Sequence, residues 1–183
     1  MGTMADLNTL AHDFLEAMED ALETVPLFDP TLLGPPPRSY VSPGLPVWDC
    51  PEQLTVYVTP VVDLDTAPGG LGALKRVRVA HVTTVQIIGT ITRCVPTGAE
   101  NQLGNYVMPT EASLEAAAKQ INHDGWALWN HVWSLVHAGQ LLTLCQGAIF
   151  EGMSAVIPSG GSAGWEIRIR AELDGYEETP LGS

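Results

Sequence analysis

The stretch "TEASLEAAAKQINHDGWALWNHVWSLVHAG", residues 110–139, decides the fold. Pro109 precedes it, the Thr110 hydroxyl can cap a first helical turn, and Glu111 and Glu115 sit where the positive end of a helix dipole favours carboxylates. Leu114, Ala118, Ile121, Leu128, Val132 and Leu135 recur at helical spacing and form one apolar stripe. Trp126, Trp129 and Trp133, at steps of three and four, share a second face beside that stripe. The spacing predicts one long helix that is apolar over much of its circumference. Such a helix has to be buried on two sides, by its own sheet and by something else, either the N-terminal helix or another subunit. Trp126, Trp129 and Trp133 are therefore expected as structural core, with any remaining exposed edge serving as subunit interface.

The histidines in this stretch do not form a metal site. His123, His131 and His137 are eight and six residues apart, so they point in three directions, whereas a helical ligand pair needs a spacing of four. They read as polar residues flanking a buried stripe.

Outward from the helix the chain is β on both sides. "QLTVYVTPVVDL" (53–64) and "RVRVAHVTTVQIIGTITRC" (76–94) are rich in Val, Ile and Thr, and the glycine-bearing "DTAPGGLGALK" separates them, so they read as a long hairpin. Gly69, Gly70, Gly72 and Lys75 do not match a phosphate loop and lie between strands rather than at a helix start. On the C-terminal side "GAIFEGMSAVI" and "AGWEIRIRAELD" flank the turn "PSGGS" at 158–162. In the second of these strands Trp165, Ile167, Ile169, Ala171 and Leu173 alternate with Glu166, Arg168, Arg170 and Glu172, which gives one core face and one charged face.

Toward the N-terminus, Leu7, Leu10, Phe14, Met18, Leu22 and Val25 mark an amphipathic helix over residues 5–25 with an acidic opposite face. Residues 26–52 are so proline-rich that no long helix or central strand is expected there, and they read as an extended arm. An α+β core over 53–174 and a polar tail over 175–183 complete a single domain, 1–183. The expected class is α+β: a mostly antiparallel sheet, with mixed pairing allowed, built from two long hairpins packed against two main helices.

With 183 residues, 45% of them hydrophobic, the chain can bury a real core, and it has no apolar run long enough to span a membrane. The start lacks the pattern of a secretory signal, so a cytoplasmic place of synthesis and folding is expected. Cys50, Cys94 and Cys145 are too far apart in sequence for a ligand pair and read as buried thiols. Twenty-one acids against eight bases give a net charge of −13, which disfavours a phosphate-gripping groove but suits a channel through which DNA slides without sticking. Half of the bases are Arg76, Arg78, Arg168 and Arg170, the natural partners for a neighbouring copy's carboxylates. No nucleophile elbow, ligand cluster or phosphate loop is present, so no catalytic, metal or cofactor site is expected.

The segments "DCPEQLTVYV" (49–58), "VQIIGTITRCVP" (85–96), "DGWALWNHV" (124–132) and "GSAGWEIRIRAEL" (161–173), in that order, resemble the tail terminator proteins of long-tailed, siphovirus-type phages, especially those of actinobacteria. The resemblance implies a virion protein without enzymatic activity. Small α+β subunits of that family close as a ring, usually a hexamer, on the head-proximal end of the tail tube. The implied partners are further copies of the chain, the tail tube protein and the head-tail stopper or other neck protein, with DNA passing through the pore unbound. A stopper, connector or tube subunit is the alternative reading.

Overall fold

The computed structural model describes residues 7–44, 52–61, 84–100, 102–142, 147–159 and 161–173. In chain order the elements are helices α1 (Leu7–Glu23) and α2 (Val25–Phe28), strands β1 (Arg38–Val41), β2 (Gln53–Val61), β3 (Thr84–Cys94), β4 (Ala99–Glu100) and β5 (Tyr106–Val107), helix α3 (Glu111–His137), and strands β6 (Gly147–Ser159) and β7 (Ser162–Glu172). Five strands form one sheet in the order β1-β2-β3-β7-β6, while β4 and β5 pair separately. The class is α+β. The sheet is mixed, because β1 runs parallel to β2 while every other neighbouring pair is antiparallel.

Both expected hairpins form, and they join at the β3–β7 pairing, where Gly89 faces Ile167 and Ile91 faces Trp165. Strand β1 comes from the proline-rich arm and takes an edge position, the place a proline-flanked strand tolerates. Residues 62–83, with the glycine loop and both Arg76 and Arg78, lie outside the described residues, as do Cys50 and Cys145.

Strand alternation gives the sheet one face rich in Leu54, Val56, Val85, Ile87, Ile91, Ile167, Ile169 and Ala171, all buried. Helix α1 lies on this face over β1, β2 and β3, and α3 lies beside it over β7 and β6. Leu10, Phe14, Met18 and Leu22 of α1 and Leu128 and Val132 of α3 complete the core. Helix α3 starts as its sequence dictates: Thr110 is extended, and its hydroxyl accepts a hydrogen bond from Ser113 N at 3.2 Å. It ends at Ala138, followed by Gly139 with φ +63°.

Gly89 fixes how closely α1 approaches the sheet. A Cβ there would overlap Met18 Sδ and come within 2.9 Å of Phe14 Cε1. Gly89→Ala is therefore expected to destabilise the subunit by about 1–3 kcal/mol through overpacking, read as a lower urea midpoint at unchanged slope.

Candidate assembly interface

The expectation that the three α3 tryptophans are core is not met. Trp126, Trp129 and Trp133 are 64%, 40% and 44% exposed, while the buried side of the helix is made by Gln120, Asp124, Gly125, Ala127, Leu128 and Val132. The reason is geometric. Helix α1 packs beside α3 on the Leu128–Val132 side, and among the described residues no element lies over the far side of the helix. The N-terminal helix is thus not the second burying surface expected for α3.

The tryptophan rings are ordered by local contacts. Trp129 meets Phe150 of β6 edge to face, with centroids 4.9 Å apart, and Trp133 stacks on His137 at 3.8 Å. Around them Asn122 and Ser134 are neutral, and Asn130 donates to the Trp126 carbonyl at 2.8 Å. None of the three indole N–H groups has a partner among the described residues, in contrast to Trp165, whose Nε1 donates to the Ile121 carbonyl at 2.8 Å. A large apolar face without Asp, Glu, Lys or Arg is thus presented by a chain of net charge −13.

A second apolar surface lies before the start of the same helix. Among the described residues strands β4 and β5 pair only with each other, and Leu103, Tyr106, Val107 and Met108 are all more than half exposed. The first turns of α3 beyond them are also largely exposed, Leu114 included, because the helix overshoots the sheet. From Glu111 to Trp133 the helix rises about 33 Å, so the hairpin and the far end of the tryptophan face sit at opposite ends of α3.

The charged face expected on β7 is present and turned away from the helices. Arg168 Nε donates to Glu166 at 2.7 Å, and Arg170 pairs with Glu151 of β6 at 2.6 Å, so both candidate interface arginines already hold carboxylates of their own chain. Gln86 also donates to Glu151. Tyr57 lies buried on this face, and desolvation, followed by the Glu166 charge, raises its phenol above the ordinary value. Beside it Thr55 and Thr90, paired across β2 and β3, bury their hydroxyls without a hydrogen-bond partner among the described residues.

One cluster escaped the sequence reading altogether. Arg93, at the end of β3, is buried and gives Nε to Asp124 Oδ2 at 2.8 Å, Nη2 to Asp124 Oδ1 at 3.1 Å and to the Gly34 carbonyl at 2.6 Å, and Nη1 to Glu52 at 3.0 Å. Gln120 closes the cluster by donating to Asp124 at 2.9 Å and exchanging two hydrogen bonds with the Leu33 backbone. Burial raises the Asp124 carboxyl, against the lowering effect of Arg93 and Gln120, while the carboxylates hold the Arg93 guanidinium charged. This is a clamp tying the proline-rich arm to β3 and α3. A half-open cavity of about 430 Å³ lies against it, lined by Glu52, Arg93, Cys94, Lys119 and Gln120 among others. Gln120 spends both amide hydrogens on the clamp, Arg93 makes four hydrogen bonds within it, and Lys119 is bound to Asp29. Lys119, and after it Thr31, hold the Asp29 carboxyl below the usual carboxylate range.

Cys94, expected to be buried, is exposed at the end of β3. His123, His131 and His137 do not converge, and among the described residues no group of three His, Cys, Asp or Glu side chains could hold a metal ion. No described helix is long and apolar enough to cross a membrane.

The class that emerges is an α+β fold that, among the described residues, exposes two separate apolar surfaces and holds a clamped arm. No protein-family model and no curated protein matches the chain.

Proposed function

We propose that the protein is a ring-forming virion protein, a tail terminator that caps the head-proximal end of a phage tail tube and joins it to the neck. The observation that carries this reading is the pair of unlike apolar surfaces, the tryptophan face of α3 and the β4–β5 hairpin, at opposite ends of one helix. Unlike surfaces associate head to tail, and a head-to-tail contact repeated around an axis closes a ring or extends a filament. The sequence resemblance favours the ring, usually six copies, and supplies the tube and the neck protein as partners.

Its action is geometric rather than chemical. A closed ring seated on a growing tube presents no further tube-like surface, and so stops polymerisation. The charge suits the place: α1 carries Asp13, Glu16, Glu19, Asp20 and Glu23 on the side away from the core, and an acidic lumen passes DNA without holding it.

The experiment is electron microscopy of tail tube protein polymerised with and without this protein. The expected result is tubes of limited length bearing one ring at one end. Co-polymerisation along the tube would assign it as a tube subunit instead, and unchanged, uncapped tubes would remove the terminator reading.

A further inference from the structure

We infer that the tryptophan face of α3 is the seat for the β4–β5 hairpin of a second copy of this chain. The inference deepens the ring reading and rests on it for closure, but the contact itself is argued from four features of the subunit.

First, the face lacks formal charge, which makes it a place where copies of net charge −13 can approach without bringing carboxylates together. Second, among the described residues the two short strands of the hairpin pair only with each other, and a two-stranded ladder is marginal in water, yet Leu103 and Met108 are 84% and 70% exposed on it. Third, the polar groups match. The indole N–H groups of Trp126, Trp129 and Trp133, without a partner among the described residues, are donors, and β4 and β5 have no third strand along their outer edges among those residues, where backbone carbonyls can accept. Fourth, the rings of Trp129 and Trp133 are already held by Phe150 and His137, so little side-chain freedom is lost on docking. The hairpin cannot serve its own face, being displaced from it along the helix, so the occupant is a neighbour and the contact is head to tail.

The test uses two double variants of the full chain. Trp126→Ser with Trp133→Ser strips the face without touching the Trp129–Phe150 contact, and Tyr106→Ser with Met108→Ser strips the hairpin. Sedimentation and light scattering are expected to show the parent assembled and each variant alone as a subunit of 19.6 kDa, its association roughly thirtyfold or more weaker for each anchor lost. An equimolar mixture of the two variants is expected to stop at one heterodimer, because only one intact face and one intact hairpin remain between them. Trp133→Arg, run beside them, places a charge on the face and is expected to prevent assembly while melting within a few degrees of the parent at a concentration where the parent too is dissociated. Absence of the heterodimer, assembly of either variant like the parent, or a parent that stays monomeric would overturn the contact. A heterodimer formed by variants of a parent that grows open filaments would support the contact while removing the terminator reading.

Discussion

Replacing Arg93 with methionine is expected to destabilise the subunit by about 3–5 kcal/mol, because it leaves the Asp124 carboxylate buried with no cation beside it. The loss should be pH-dependent in a defined direction. Burial already raises the Asp124 carboxyl in the parent, and removing the guanidinium takes away the main influence lowering it. A carboxyl raised in the folded state binds more protons folded than unfolded, so stability falls as pH rises from the ordinary carboxylate value to the raised one. The variant should therefore lie closest to the parent in mild acid and farthest from it at neutrality. Urea melts at several pH values check this. Adding Asp124→Leu to the variant should restore part of the loss, since a whole buried pair is cheaper to replace than to break. A pH-independent deficit would mean that the clamp acts through packing alone.

Phe14→Ala and Trp133→Ala are expected to separate by several kcal/mol, in the order opposite to side-chain size. Phe14 is wholly buried between α1 and the sheet, and its truncation should cost about 3–5 kcal/mol. Trp133 is 44% exposed and touches chiefly His137, so its truncation should cost the isolated subunit about 1 kcal/mol or less, and should show instead in assembly. Thermal melts at a concentration where the subunit is dissociated distinguish the two. A large loss for Trp133→Ala under those conditions would return the tryptophans to the core.

The contrast also shows where the sequence was legible. Period-two alternation in 165–173 and period-3.6 recurrence in 7–25 each report one buried face, and the β7 and α1 faces came out as read, apart from a half-exposed Leu7. Thr110 announced its cap because capping is local chemistry. The tryptophans were misplaced because periodicity says which residues share a face, not whether the same chain covers it. The Arg93 clamp was invisible for a related reason. Its members lie in the arm, a strand and a helix, and a single arginine after an apolar run looks like an ordinary strand end until the fold brings Asp124 to it. In hindsight, Asp124 within an otherwise apolar helical stripe was the one available signal. The parallel β1 was equally hidden, since parallel pairing follows from where the arm travels and not from its composition.

The surfaces left uncovered now bear the functional account. Arg168 and Arg170, singled out for their sign, already hold Glu166 and Glu151, so charge reversal there is expected to affect assembly less than loss of the tryptophan face.

The most direct measurement of the central claim is the mass of the purified full chain by native mass spectrometry across a range of salt concentrations. One closed species at a small whole multiple of the 19.6 kDa chain is expected, six copies being the expected number, and favoured by salt because screening relieves repulsion while apolar contacts persist. A monomer at every concentration and ionic strength, or a ladder of masses without a preferred size, would contradict it.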